Sequence, residues 1–140
     1  MKLKEQKGFT LLEIMIVVII LGMLATVVIQ SVGDRPDQAR VVKVKNDIVA
    51  LEGAIKMYRM DTYRLPSSDQ GLKVLSRLPD GVNNWSGPYI DRLPKDPWGN
   101  EYRYRLPGTN GAKFDIYSYG ADGVEGGTDI NADIGSWNIE

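Results

Sequence analysis

Apolar residues follow three regimes along the chain: one unbroken run near the amino terminus, then steps of three and four, then alternation. From Ile14 to Gly33 no residue is charged, and from Ile14 to Ile29 nearly every position is Ile, Val, Leu or Met. A helix apolar on all sides must be buried in something, and a body of roughly a hundred further residues is too small to surround it. At ~1.5 Å per residue, Ile14–Ile29 makes a helix of roughly 24 Å, short of the ~30 Å hydrocarbon core of a bilayer, whereas Phe9–Ile29 reaches roughly 31 Å. The run is therefore expected to span a membrane from Phe9 onward, which puts Glu13 inside the bilayer edge. Gly22 and Thr26, small residues four apart, would let helices approach closely on one face.

In the next regime Val41, Val44, Ile48, Leu51, Ile55 and Tyr58 make one helical stripe, while Lys43, Lys45, Asp47, Glu52, Lys56 and Arg59 mostly avoid it and suit a solvated face. Asp37 or Asp34 can cap the start of this amphipathic helix, Pro36 is tolerated in its first turn, and Leu65-Pro66 stops it. Joined to the apolar run it forms a long helical spine, with Gly33 and Pro36 as positions where the spine can break. Ser67-Ser68-Asp69-Gln70 fits a capping box that opens a short helix with Leu72, Leu75 and Leu78 on one side before Pro79. The stretch from Asp80 to Asn100 is rich in Pro, Gly and Asn, yet Trp85, Tyr89, Ile90, Leu93 and Trp98 give it enough to bury for an ordered loop. Residues Glu101–Leu106 and Phe114–Tyr119 alternate on either side of Pro107–Gly111, which reads as a hairpin. The fold class is α+β: a long amino-terminal helical spine packed on a small carboxy-terminal antiparallel sheet.

Composition removes most chemistries. The chain has 140 residues, a formal net charge of −1, and neither histidine nor cysteine. It cannot form a disulfide, a thiolate or imidazole zinc site, or a histidine-activated nucleophile, and it is not expected to be an enzyme. No basic stripe beyond the first residues offers a footprint for nucleic acid. The leader MKLKEQKG carries Lys2, Lys4 and Lys7 against Glu5, while GDRPDQAR beyond the run is mixed in sign, so the leader is expected in the cytoplasm and the body across the membrane. A secretory signal would have an apolar region of ~7–15 residues and an A-x-A-like cleavage site, which this run does not show.

A carboxylate inside a spanning helix costs up to ~2.5–3.5 kcal/mol at the bilayer centre, and less near the interface, so Glu13 needs a partner. Lys7 could snorkel toward it. A cut between Gly8 and Phe9 would instead create an α-ammonium one turn from Glu13, within reach of the Glu13 of a neighbouring copy shifted along the axis. The sequence Lys7-Gly8-Phe9-Thr10-Leu11-Leu12-Glu13 resembles the class III signal of type IV pilins and pseudopilins. That resemblance implies cleavage after Gly8 by a prepilin peptidase, N-methylation of Phe9, and use of Glu13 in subunit docking. The organisation becomes a cleaved leader at 1–8, a transmembrane and polymerisation helix at 9–33, and a periplasmic domain at 34–140. Many pseudopilins have a proline where Gln30 stands here.

The tail, Gly120 to Trp137, sets Asp122, Glu125, Asp129 and Asp133 among many glycines. Calcium is the cation such a chain suits, although the spacing is not that of an EF-hand, and composition alone equally describes a solvated acidic loop. Trp137 at its end argues for a docked loop. Together with Gln70-Gly71-Leu72, the segments PKDPWGN, YSYGADG and ADIGSW are similar to the major pseudopilins of type II secretion systems, in which a calcium ion organises this loop. The resemblance implies side-chain ligands at Asp122 and Asp133, carbonyl ligands at Tyr119 and Val124, and a further carboxylate at Asp129 and carbonyl at Thr128; Ala132 stands where some relatives have an acid.

By that resemblance the chain is the major structural subunit of a pseudopilus, polymerising through its apolar helix to help move folded proteins through an outer-membrane channel. The implied partners are copies of itself, minor pseudopilins, the inner-membrane platform with its ATPase, and the prepilin peptidase. Two alternatives stand beside it. A type IV pilin for adhesion or motility usually closes a loop with a disulfide, which this chain cannot make, and a membrane-anchored binding module would use the aromatic loop.

Overall fold

The computed structural model describes residues 8–32 and 35–140, and for 26–32 and Arg35 the backbone alone. The chain divides into two compact units, Met1–Pro36 and Asp37–Glu140.

The first unit is built on α1, Leu11–Val32. From Leu11 to Leu24 every large apolar side chain is between 47% and 78% exposed, so over these residues the helix has no buried side of its own. Among the described residues no helix is long and apolar enough to cross a membrane. The span expected from Phe9 to Ile29 runs into residues whose side chains lie outside the description, as do the leader through Lys7, the Gly33 break and the Asp34 cap.

The second unit begins inside α2, Arg35–Thr62. Asp37 sits inside its first turn, where a carboxylate complements the helix dipole, and accepts a 2.7 Å bond from Arg40 one turn on. The expected stripe is the core side: Val44, Ile48, Leu51, Ile55 and Tyr58 are at most 1% exposed, and Val41 is partly buried against them. The opposite side also carries apolar residues at helical spacing, Val42, Val49, Met57 and Met60, which are 55–74% exposed. The helix ends when Tyr63 turns left-handed at φ 59° and the Thr62 hydroxyl bridges the carbonyls of Tyr58 and Arg64 at 2.8 and 3.1 Å.

The capping box forms as expected: the Ser67 hydroxyl accepts from the Gln70 N–H, and the Gln70 side chain accepts from the Ser67 N–H at 3.0 Å. It leads into a short 3₁₀ helix, Gly71–Leu75, with Leu72 and Leu75 buried. Leu78, expected beside them, is exposed. The helix has closed by then, because the N–H groups of Ser76 and Arg77 both turn back to the Lys73 carbonyl. The aromatic loop is anchored as expected. Trp85 donates to the Val74 carbonyl at 2.8 Å, Tyr89 donates to Asp61 at 2.8 Å, and the Tyr89 ring makes edge-to-face contacts with both Trp85 and Tyr58.

The expected hairpin is present as β1, Arg103–Arg105, and β2, Asp115–Ser118, antiparallel with Tyr104 opposite Ile116. A third strand, β3, Ile134–Gly135, adds to the other side of β2 with Tyr117 opposite Gly135. It comes from the acidic, glycine-rich tail, where two residues are too few for alternation to register. One sheet face sends Ile116 and Ile134, with the neighbouring Tyr102, into the core of α2. The other stacks Arg105 over the Tyr117 ring and Trp137 against it, and a Cβ on Gly135 would lie 2.3 Å from the Trp137 indole, so only glycine leaves room for that ring.

Candidate functional site

At the amino-terminal end, Gly8, Phe9 and Thr10 precede α1, and Phe9 is 80% exposed. Thr10 caps the helix: its hydroxyl accepts the Glu13 N–H at 3.2 Å, and its carbonyl accepts the Ile14 N–H at 3.3 Å. Glu13 is thus the third residue of the helix, where its charge opposes the positive end of the helix dipole. Hydropathy along the apolar run does not reveal this local role, although Thr10-Leu11-Leu12-Glu13 carries the S/T-x-x-E spacing of a capping box. Glu13 is exposed.

The acidic loop leaves β2 at Tyr119 and returns at β3. Its two limbs touch near their base, where the Ala121 N–H donates to the Ile130 carbonyl at 2.9 Å. Gly120 lies at the crossing with φ 70°, and a Cβ there would meet backbone atoms of Ile130, Asn131 and Ala132 at 2.7–2.9 Å. A second closure brings the Gly126 N–H to Asp133 Oδ2 at 3.0 Å. Between them Asp122 folds its carboxylate onto the Val124 N–H at 3.1 Å, and a one-turn 3₁₀ helix, Asp129–Asn131, starts with Asp129 at φ 55°. The Thr128 carbonyl accepts the Asn131 N–H at 3.0 Å. Asn138 then clasps the outgoing strand, donating to the Asp133 carbonyl and accepting from Gly135.

Of the residues named as ligands, Asp133 is the most constrained. Its Oδ2 is held by Gly126, while its Oδ1 is buried with no hydrogen-bond partner among the described residues. A buried carboxylate oxygen left unpaired is costly, and a cation is one way to satisfy it. Asp122 and Asp129 are exposed. Among the described residues, no group of three or more acidic, histidine or cysteine side chains is disposed to hold a metal. The donor set is of the kind a hard cation takes, carboxylates and backbone carbonyls of one loop, with Asp133 as the residue whose surroundings fit it.

A family model described as type II secretion system (T2SS), protein G matches residues 31–137, and one for the prokaryotic N-terminal methylation motif matches residues 3–29. The chain is 51% identical to the type II secretion system core protein G of Pseudomonas aeruginosa, over 99% of each chain. It is 49% identical to the protein of that name from Vibrio cholerae, over 99% of this chain and 97% of the other. Among solved structures, the major pseudopilin from the type 2 secretion system of enterohaemorrhagic Escherichia coli is similar, with a TM-score of 0.67 and 39% identity over 78% of this chain and 92% of that one. Matched in its body, in its amino-terminal segment and across whole relatives, the chain belongs to the type II secretion system protein G family.

Proposed function

We propose that this pseudopilus subunit is made with a leader at residues 1–8, is cut after Gly8 and N-methylated at Phe9, and polymerises through the helix beyond the cut. The observation that carries the reading is α1 itself, a helix whose large apolar side chains are exposed on every side from Leu11 to Leu24. Such a surface needs lipid before assembly and other copies of the same helix after it. The new ammonium of Phe9 on one copy then meets the Glu13 carboxylate of another, joining opposite charges where water is scarce. The same chain is held in the inner membrane with its body in the periplasm, and it works with minor pseudopilins, the assembly platform, its ATPase and the prepilin peptidase. It catalyses no reaction.

Calcium belongs to this reading. Asp122 and Asp133, with Asp129 and the carbonyls of Tyr119, Val124 and Thr128, would hold the ion, which supplies charge to draw the loop's oxygens together. The unpartnered Asp133 Oδ1 supports that assignment. Mass spectrometry of the mature protein tests the processing step. The expected amino terminus is Phe9 with one added methyl group; an intact Met1, or trimming elsewhere, removes the polymerisation scheme.

A further inference from the structure

The PKDPWGN turn sits beside the base of the acidic loop and contributes a buried acid to it. Asp96 is 4% exposed. Its Oδ1 accepts the N–H groups of Trp98 and Asn100 at 3.1 and 2.8 Å, and its Oδ2 accepts the Ser118 hydroxyl at 2.7 Å. Ser118, 1% exposed at the end of β2, has its hydroxyl proton committed to Asp96, and its oxygen accepts the Gly120 N–H at 3.2 Å. Asn100, oriented by Asp96, reaches the Gly120 carbonyl with its side-chain amide at 3.5 Å. The acid thus grips Gly120 from both sides through intermediaries.

The consequence falls on Tyr119. Its carbonyl and the Gly120 N–H belong to one planar, trans peptide unit, so they point in opposite directions. When the N–H is aimed inward at Ser118, the Tyr119 carbonyl is aimed the other way. The chain of bonds also polarises: a hydroxyl donating to a buried carboxylate is a better acceptor, and a peptide whose N–H is strongly engaged has a more negative carbonyl oxygen. We infer that Asp96 and Ser118 are positioning residues for the metal, aiming and polarising the Tyr119 carbonyl as one of its ligands. Neither touches the ion. This inference rests on the calcium reading and adds to it a pair of residues outside the acidic loop.

The test is calcium affinity of the full-length protein in detergent, titrated against a chromophoric chelator, alongside melting temperature with the metal stripped. Partners that orient a metal ligand are typically worth roughly ten- to a hundredfold in affinity. Ser118→Ala is expected to weaken calcium binding roughly tenfold or more, and Asp96→Asn, which keeps the shape of the turn without its charge, in the same direction. A residue serving only the fold would lower the metal-free melting temperature and leave the affinity of the folded protein as in the parent, and that result overturns the inference. Asp122→Ala separates the two ideas. If it loses calcium while Ser118→Ala and Asp96→Asn bind like the parent, the calcium reading stands and the positioning roles fall. If the parent itself takes up no calcium, both fall together.

Discussion

Replacing Gly120 by alanine probes the crossing at the base of the acidic loop, and Gly123 provides a matched control. The two glycines have nearly the same backbone conformation, φ 70° and φ 69°. An L side chain in that left-handed region costs about 1–2 kcal/mol at either position. They differ in what a Cβ would meet. At Gly123 the nearest atoms belong to the Asn100 side chain at 3.5 Å, an ordinary contact. At Gly120 they are backbone atoms of Ile130, Asn131 and Ala132 at 2.7–2.9 Å, which cannot swing aside. Overpacking of that kind adds typically ~1–3 kcal/mol. Gly123→Ala should therefore lose about 1–2 kcal/mol and Gly120→Ala about 2–5 kcal/mol. For a folded unit near a hundred residues, 1 kcal/mol moves the melting temperature by roughly 4–8 °C. Near-ultraviolet circular dichroism, which reads the packing of Trp85, Trp98 and Trp137, follows both melts in the full-length protein. The reasoning fails if the two variants melt within a couple of degrees of one another, since the crossing would then have room for a side chain.

Glu13→Ala should insert into membranes at least as well as the parent, because the helix becomes more apolar, yet yield few filaments by electron microscopy of sheared cells. Filaments in normal number would mean that the Phe9–Glu13 pairing is not what joins the copies. Alkaline stability has a definite sign. Burial holds the Tyr104 phenol up at about 12, and burial together with the Asp47 carboxylate at 2.7 Å raises Tyr102 further. In the unfolded chain tyrosines ionise near ~10, so above that pH the unfolded state binds fewer protons than the folded one. The contribution of these two groups is complete below about pH 10 and declines as pH rises toward 12. Urea unfolding at stepped pH should show that decline, with a shallower slope in Tyr104→Phe; stability that holds or rises over this interval would contradict the burial argument.

Much of the second unit was legible because helices and strands write the direction of their side chains into a short period. The stripe from Val44 to Tyr58, the reciprocal bonds of Ser67 and Gln70, and the pairing about Tyr104 and Ile116 each depend on residues within a few positions of one another, or on alternation that one strand carries by itself. The apolar character of Ile14–Leu24 is of the same kind, and so was the resemblance carried by contiguous segments of the chain. Contacts between distant segments had no such signature. Asp96 read as part of a proline turn, and only folding brings it to Ser118, 22 positions away. By composition Asp133 is one of several acids, singled out only by the resemblance, and the burial of its unpaired Oδ1 arises where Gly126 and Asn138 close around the residue. The third strand, two residues long, is a strand only because β2 offers it an edge. Local periodicity thus determined the helices, the hairpin and the apolar segment from the order of residues alone. Which polar groups share a buried space was decided by chain crossings such as that at Gly120, because the energy of a buried polar group depends on what surrounds it in three dimensions.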